Sequence, residues 1–281
     1  MTKQCTCGII YLFLKVSNIK HKTQNIKNVA KELKMNIIVF DTETTSLEKP
    51  FCYNIGYVIT DTDTNTTLLR REFVVEQVWH NLELFSSAYY AEKRPIYVSA
   101  MKGKKAVMDK FGYICRQMRA DIKNYEISQA YAYNCKFDEK VFDFMCEWYK
   151  VSNPLDNVQV YDIRGYVCEF VANTQEYQDA CENYEWFTES KNYSTTAEIV
   201  YRYITNNPDF IESHTALDDS LIETAILQYC IEKGGEYGQH YNTPKSISRF
   251  IEQTLVVVHN GIETPYNYTK KTTRGNKIFL K

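Results

Sequence analysis

The chain has 281 residues, of which 44% are hydrophobic, 24% are charged and 14% are aromatic. This size suits one sizeable globular domain with appendages, or two domains. The 33 basic and 35 acidic residues give a net charge of -2, which disfavours a protein that coats duplex DNA with a broad positive face. A nucleic-acid ligand would instead require a local groove and metal ions.

The cysteines and the apolar runs indicate a cytoplasmic protein. Nine cysteines, an odd number, are scattered along the chain, which is typical of reduced thiols inside a cell. The apolar run Gly8–Leu14 is too short to span a bilayer, and neither a basic leader nor a cleavage signal flanks it. We therefore expect neither secretion nor a membrane span.

Residues 1–34 form an N-terminal extension without a clear amphipathic pattern. The codons of Lys31–Met35 could include a purine-rich stretch a few nucleotides before a start codon, so we hypothesise that Met35 is the natural first residue. Intact-mass analysis of protein made from the native gene would test this hypothesis, and a mass that includes residue 1 would reject it.

Three strands open the main domain, which we predict to span residues 35–235. Asn36–Phe40 is a continuous apolar run of the kind found in buried central strands. Tyr53–Thr60 and Leu68–Val75 flank a polar, turn-rich stretch, which predicts a hairpin. The three strands should therefore be antiparallel.

The next segments alternate between helix and strand. Helical spacing is present over Lys104–Lys123 and Phe137–Lys150, and strand-like runs occupy Ile127–Tyr133 and Val158–Tyr161. Strand–helix–strand units indicate parallel strands. We thus predict an α/β fold with a mixed sheet, antiparallel at first and parallel afterwards.

A helical insertion is expected at about 164–212, where Thr195 and Glu198 fit a capping box. The last clear helix should run from Ala216 to Ile231. Its apolar residues at helical spacing are Leu217, Leu221, Ala225 and Tyr229. Residues 236–281 form a C-terminal extension whose tail contains Tyr266, Tyr268, Lys270, Lys271, Arg274 and Lys277.

Asp41 and Glu43 lie at the carboxyl end of the first strand, where α/β folds usually place ligand sites. Side chains two residues apart on a strand share a face, so both carboxylates can reach one metal ion. An Asp-x-Glu pair is common, however. The alternative is a turn-capping aspartate beside a solvated glutamate.

Asp138 lies in the first turn of the helix that follows the strand Ile127–Tyr133. A carboxylate is favoured there by the helix dipole whether or not a metal is bound. Asn134, at the end of the same strand, either holds the turn or contacts a substrate.

His214 and Asp219 are five residues apart at the start of the last helix. Asp218 competes with Asp219 for a role in metal binding. Thr215 and Asp218 fit a capping box, which would occupy Asp218 at the backbone and leave Asp219 to point elsewhere. The alternative for His214 is a surface histidine before a helix cap.

Together these residues suit a phosphodiesterase that uses two metal ions. Mg²⁺ prefers carboxylate oxygens. Two such cations about 3.5–4 Å apart can hold both the attacking and the leaving oxygen of a phosphoryl transfer. A histidine, with an ordinary pKa near 6.5, can deprotonate the attacking water at neutral pH.

The order of these motifs resembles the DEDDh (DnaQ-like) 3′→5′ exonucleases, which include proofreading subunits, RNase T and oligoribonuclease. The resemblance covers roughly residues 36–232 and rests on Phe40–Thr45, Asn134–Asp138 and His214–Asp219. It implies a ribonuclease H-like fold, a mixed five-stranded sheet with flanking helices. The implied ligands of two divalent cations, Mg²⁺ or Mn²⁺, are Asp41, Glu43, Asp138 and Asp219. His214 would be the general base, and Thr42 and Thr44 would lie near the terminal nucleotide.

Three features depart from the family pattern. Ser46 replaces the usual glycine after the threonines of the first motif, and Asn54 replaces an acid often found before the Ile-Gly of the second strand. The stretch 164–212 is also longer than the minimal domain. These departures bear on the choice of substrate more than on catalysis.

We therefore expect hydrolysis of the 3′-terminal phosphodiester of single-stranded DNA or RNA to nucleoside 5′-monophosphates. The basic tail could grip a strand, the C-terminal segment could dock a DNA polymerase, and the composition suggests a low-GC bacterium or its phage. Two alternatives remain: a catalytically silent nucleic-acid-binding module and a ribonuclease H-like endonuclease. Product length separates the endonuclease from the exonuclease.

Overall fold

The computed structural model describes residues 35–88, 90–259 and 262–272. The hypotheses about residues 1–34 and about Arg274 and Lys277 lie outside the described residues. Within these ranges no helix is both long enough and apolar enough to cross a membrane. The seven cysteines of the described ranges are buried free thiols.

Six strands form one mixed sheet. They are β1 (Asn36–Thr44), β2 (Cys52–Asp61), β3 (Thr66–Val75), β4 (Val107–Asp109), β5 (Gln129–Ala132) and β6 (Gln159–Asp162). Their order is β4-β3-β2-β1-β5-β6, in which β1, β2 and β3 are antiparallel. β5 runs parallel to β1, and β6 runs parallel to β5. This is a mixed sheet whose first three strands are antiparallel and whose later strands are parallel, as predicted above.

Nine α-helices accompany the sheet in the described residues. They are α1 (Glu76–Trp79), α2 (Leu82–Ser86), α3 (Arg94–Lys102), α4 (Phe111–Asn124), α5 (Lys136–Tyr149), α6 (Ile163–Val167), α7 (Gln175–Tyr184), α8 (Ala197–Ile204) and α9 (Ala216–Glu232). A 3₁₀ turn, Ala91–Lys93, precedes α3, and a π turn, Cys168–Ala172, follows α6.

The sheet has one strand more than the five expected. The predicted helix over Lys104–Lys123 was wrong in its first part, because α4 begins only at Phe111. Val107–Asp109 instead forms β4, which pairs in parallel with Phe73–Val75 at the edge of the sheet. Three residues are too few for a strand period to stand out beside a neighbouring helical pattern.

Helices cover both faces of β1, which explains its continuous apolar sequence. Ile38 and Phe40 pack in the core that contains residues of α4 and α5. Ile37 and Val39 point the other way, into the core formed with α6 and α9. A central strand buried on both faces has no polar alternation.

The predicted helical stretch 164–212 contains α6, α7 and α8, separated by irregular chain. The helix cap lies one residue later than predicted. Thr196, not Thr195, is the N-cap of α8 and accepts a hydrogen bond from the amide of Ile199 (3.4 Å). The hydroxyl of Thr195 instead accepts one from Nε of Arg164 (3.2 Å).

The last helix matches its predicted position, but its buried face differs from the predicted one. Its buried residues are Ala216, Asp219, Ser220, Ile222, Glu223, Thr224, Ile226, Leu227 and Cys230. The predicted apolar face, which includes Leu217 and Leu221, is only half-buried. The helix buries acids because it packs beside the acidic end of β1.

The C-terminal extension contains a separate antiparallel hairpin of β7 (Phe250–His259) and β8 (Ile262–Lys271). Arg249, just before β7, forms an ion pair with Glu182. Thr272, just after β8, donates a hydrogen bond to Oδ1 of Asn192 (2.6 Å). Both ends of the hairpin are therefore tied to the region around α7.

Candidate active site

Acidic side chains from β1, α5 and α9 meet at the carboxyl end of β1. Asp41 and Glu43 continue the alternation of Ile37 and Val39 toward α9, whereas Thr42 points toward α5. The Thr42 hydroxyl donates a hydrogen bond of 2.6 Å to Oδ1 of Asp138 in the first turn of α5. This bond ties the second motif to the first.

A close approach between β2 and α9 brings the third motif to the same place. Gly56 pairs with Asp41, and a Cβ atom on Gly56 would lie 2.1 Å from the carbonyl carbon of Ala216. Only glycine leaves room for the start of α9 there. Oδ1 of Asn54 accepts a hydrogen bond from the amide of Ala216 (2.8 Å). The residue that departs from the family pattern therefore anchors α9.

The two neighbouring aspartates of α9 have different surroundings. Asp218 is exposed and accepts a hydrogen bond from the Ser213 hydroxyl (2.8 Å). The predicted capping box was wrong, because Thr215 is the N-cap but makes no side-chain cap bond. Asp219 points inward and is 7% exposed.

One open cavity of about 330 Å³ is lined by all five residues of the three motifs. Thr42 and Asn134 also line it, whereas Thr44 is not among the lining residues and donates its hydroxyl to the carbonyl of Ser46 (3.4 Å). The potential ligand atoms of Glu43, His214 and Asp219 all lie within 4.8 Å of one another. Segments far apart in sequence thus converge on one small volume.

Two acids that the sequence analysis did not single out, Glu212 and Glu223, also line the cavity. Glu223 is buried one turn after Asp219, and its Oε2 accepts a hydrogen bond from the amide of Tyr133 (3.2 Å). Its i+4 spacing from Asp219 was a usable signal. Glu212 lies in the irregular segment before His214, where no periodicity marks it. The other lining residues not predicted are Tyr133, Phe137, Thr196 and Ala197.

Burial and mutual repulsion raise the pKa values of these carboxyl groups. Desolvation, then the charge of Glu212, raises the pKa of Asp41 to about 7. Desolvation, then the charge of Asp41, raises the pKa of Glu43 to about 9 and that of Asp219 to about 10. Burial also holds the pKa of Asp138 well above its usual value. So many carboxylates ionise together only when a cation offsets their repulsion.

The donor set fits divalent cations. Oδ1 of Asp219 is buried and has no hydrogen-bond partner among the residues that the structure describes. Such an atom is costly to bury unless it binds something. All the acidic donors are hard oxygens, which Mg²⁺ and Mn²⁺ prefer over sulfur or nitrogen.

His214 lies beside these acids, and its pKa is shifted downward, whereas theirs are shifted upward. Burial, then the nearby charge of Lys93, lowers the pKa of the imidazole. Its Nδ1 is 3.6 Å from Oε2 of Glu212, and its ring stacks on Tyr90 with centroids 4.3 Å apart. A neutral imidazole at neutral pH can accept a proton.

A second, larger cavity of about 690 Å³ adjoins the first at Asn134. Lys136 of α5 and His240, whose ring lies 4.6 Å from that of Tyr161, contribute to its walls. Asn134 has a positive φ of 56° and donates its amide to Oδ1 of Asp162 (2.9 Å). Asn134 thus lines both cavities.

No protein-family model matches the chain, and no curated protein matches its sequence. Solved structures to which this chain is similar include two nucleases. The nuclease domain of 3'hExo, a DEDDh family member bound to rAMP, is 14% identical; the match covers 72% of this chain and 94% of that domain, with a TM-score of 0.43. Cell-death related nuclease 4 (CRN-4) is 12% identical over 80% of this chain and 72% of that chain, with a TM-score of 0.46.

A further similar structure is E. coli Exonuclease I in complex with a dA16 oligonucleotide. It is 12% identical, and the match covers 68% of this chain but only 40% of that chain, with a TM-score of 0.42. These likenesses concern the fold.

Proposed function

We propose that this chain is a metal-dependent 3′→5′ exonuclease of the DEDDh type that acts on single-stranded nucleic acid. The observation that carries the proposal is the convergence of Asp41, Glu43, Asp138, His214 and Asp219 on one cavity. Acidic oxygens whose pKa values are raised and a histidine whose pKa is lowered lie side by side there. Such opposed environments are typical of acid–base catalysis.

Two divalent cations, Mg²⁺ or Mn²⁺, would be held by Asp41, Glu43, Asp138 and Asp219. When bound, the cations supply charge stabilisation for the phosphate oxygens and the leaving oxygen. Thr42 orients the Asp138 carboxylate through its 2.6 Å hydrogen bond. Glu223 keeps its carboxylate beside this group through the amide of Tyr133.

His214 is the proposed general base. Its neutral imidazole takes a proton from the water molecule whose oxygen attacks the terminal phosphorus atom. The bond between phosphorus and the 3′ oxygen of the preceding nucleotide breaks, and that oxygen is protonated from solvent. The products are a nucleoside 5′-monophosphate and a strand that is one nucleotide shorter.

The single-stranded 3′ end of DNA or RNA is the proposed partner. A single strand passes where a duplex does not fit, because its bases splay onto ring faces while its phosphates meet a few cations. The second cavity offers the His240 ring and the Lys136 ammonium beside Asn134. Thr42 and Asn134 line the first cavity and are the proposed contacts of the terminal nucleotide.

A time course on 5′-labelled single-stranded DNA and RNA with Mg²⁺ or Mn²⁺ tests the proposal. We expect a ladder that shortens from the 3′ end and disappears both with EDTA and in the Asp41→Ala variant. Internal fragments would favour the ribonuclease H-like endonuclease. Intact strands with folded protein and every metal would favour the silent binding module.

A further inference from the structure

The segment that connects β3 with β4 reaches the candidate general base. We propose that Tyr90, Lys93 and Tyr97 form a positioning site that holds the His214 imidazole in one orientation toward the acidic cavity. The proposal rests on the proposed function, because it concerns the residue assigned there as the base. None of the three belongs to the motifs that carry the metal ligands.

The first observation is the backbone of His214. Its φ angle is +53°, in the left-handed region that residues other than glycine rarely adopt. Such a conformation persists only where its surroundings hold it. Nζ of Lys93 donates a 2.6 Å hydrogen bond to the carbonyl of Ser213, and the Tyr97 hydroxyl donates one of 3.2 Å to the carbonyl of His214. Consecutive carbonyl groups are thus clamped on either side of the unusual φ.

The second observation is the face of the ring. The Tyr90 and His214 rings are stacked with centroids 4.3 Å apart and planes inclined by 13°. Nζ of Lys93 lies 4.5 Å from the centroid of the Tyr90 ring, so the residue that clamps Ser213 also contacts the stacking partner. A flat ring against one face fixes the plane in which the imidazole lies.

The third observation is the edge of the ring. Nδ1 faces Oε2 of Glu212 at 3.6 Å, and potential ligand atoms of Glu43 and Asp219 lie within 4.8 Å of one His214 nitrogen. The imidazole therefore stands among acids of three different segments. A half-turn about the Cβ–Cγ bond would put a ring carbon where each nitrogen now lies, Cδ2 for Nδ1 and Cε1 for Nε2, and the Tyr90 stack together with the clamped backbone restrains that motion.

The clamp is also continuous with the metal ligands. The Tyr97 ring meets that of Tyr53 edge to face, with centroids 5.8 Å apart. The Tyr53 hydroxyl donates a 3.5 Å hydrogen bond to Oε2 of Glu43. Tyr97 and Tyr53 together thus link the backbone of His214 to the Glu43 carboxylate, which fixes the separation of these two residues.

Such positioning matters because a base works only when its lone pair points at the proton that it takes. A misplacement of about 1 Å can lower a rate by about 100-fold. The positioning site should therefore affect kcat far more than the binding of substrate or cation.

The test compares Tyr90→Ala with Tyr90→Phe, which keeps the ring, and with Tyr113→Ala, which removes an exposed tyrosine from α4. We expect Tyr90→Ala to lower kcat by about 10- to 100-fold, with KM and Mn²⁺ affinity changed less than about twofold. Tyr90→Phe should recover most of the loss, and Tyr113→Ala should leave kcat unchanged. If Tyr90→Ala does not fold, Lys93→Met removes the Ser213 clamp and should lower kcat in the same way.

A second readout needs no activity. In metal-free protein with labelled histidine, the long-range ¹H–¹⁵N spectrum reports the tautomer of each ring, and His214→Gln assigns the signal of His214. We expect one tautomer in the wild type and in Tyr90→Phe, and averaged signals in Tyr90→Ala. The proposal would be overturned if Tyr90→Ala changed neither the spectrum nor kcat. It would also be overturned if the loss of kcat in Tyr90→Ala were matched by a loss of Mn²⁺ affinity. Wild-type protein without nuclease activity would reject the proposed function, and the spectrum alone would then decide whether Tyr90 positions His214.

Discussion

Asp218 and Asp219 are neighbours in sequence, yet only one of them lines the acidic cavity. Asp218 is exposed and accepts a hydrogen bond from the Ser213 hydroxyl, whereas Asp219 is buried and its Oδ1 has no partner within the described part of the chain. The difference arises because successive residues of a helix point about 100° apart, which sends one side chain outward and the next inward. The pair therefore offers a matched control within one turn of α9.

We predict that Asp219→Asn lowers the proposed exonuclease activity by more than about 100-fold. Loss of a residue that only hydrogen-bonds to a metal ligand typically costs about 10–100-fold. The reason is that the neutral amide no longer offsets a cation's charge. Asp218→Asn should change activity by less than about threefold, as is usual for an exposed side chain. Steady-state rates and Mn²⁺ titration by calorimetry measure both. Equal losses in the two variants would contradict the assignment of Asp219.

The sequence pattern was informative about residues whose direction follows from local geometry. Strand alternation gives Asp41 and Glu43 a common face, and the helix dipole favours a carboxylate at the first-turn position of Asp138. Tyr90 and Glu212 could not be predicted in this way. Both reach His214 from irregular segments, whose path depends on tertiary contacts and not on periodicity.

At the scale of elements, the crossing of α9 over β2 at Gly56 sets the position of the third motif. We predict that Gly56→Ala destabilises the protein and weakens Mn²⁺ binding, because the added Cβ would overlap the backbone of Ala216 and Leu217 at 2.1 Å. Overpacking of this kind costs about 1–3 kcal/mol or more, since backbone must move. Thermal unfolding and calorimetry measure the two effects.

Gly112→Ala in α4 is the matched control for that substitution. Its Cβ would meet only Cγ1 of Val151, at 3.3 Å, and alanine is the better helix former by about 1 kcal/mol. We expect little loss of stability and unchanged Mn²⁺ affinity. If Gly56→Ala had the same Tm and the same Mn²⁺ affinity as Gly112→Ala, the role given to the close approach would be contradicted.

Element by element, long regular segments were predictable and short or tertiary-determined features were not. The apolar runs predicted β1, β2 and β3 and their antiparallel order, because each is long enough to show its pattern. β4 has three residues and exists through its pairing with Phe73–Val75. The buried face of α9 was also missed, since acids of the cavity occupy positions that hydrophobicity alone assigns to solvent.

For the whole molecule, the raised pKa values predict an unusual dependence of stability on pH. The folded, metal-free protein retains protons on Asp41, Glu43 and Asp219 up to about pH 7, 9 and 10 respectively. The unfolded chain releases the same protons near about pH 4. Because the folded state binds more protons across this window, its stability should fall as pH rises from about 4 to about 10.

Thermal unfolding with EDTA and with Mg²⁺ checks this prediction. Without metal, Tm should be lower at pH 8 than at pH 5. Mg²⁺ binds the deprotonated carboxylates, so it should raise Tm at pH 8 by roughly 5–10 °C at a hundredfold excess over its dissociation constant. At pH 5 the effect should be small, because protons compete with the cation. If Tm at pH 8 were the same with EDTA and with Mg²⁺, the acids would not form a cation site.

The division of the chain into a domain of residues 35–235 and an extension of residues 236–281 stays a prediction. Ion pairing of Arg249 with Glu182 and the bond from Thr272 to Asn192 tie the extension to the region around α7. Lys270 and Lys271 belong to β8 and therefore to a paired strand. The described part of the basic tail is therefore a strand of the hairpin.

The most direct test of the central claim is the chemistry of the released product. A short single-stranded oligonucleotide is digested with Mg²⁺ in water enriched in heavy oxygen, and the products are analysed by mass spectrometry. We expect nucleoside 5′-monophosphates that carry one heavy oxygen on phosphorus, released from the 3′ end and absent with Asp219→Asn. Nucleoside 3′-phosphates, products cut internally, or an undigested strand would contradict it.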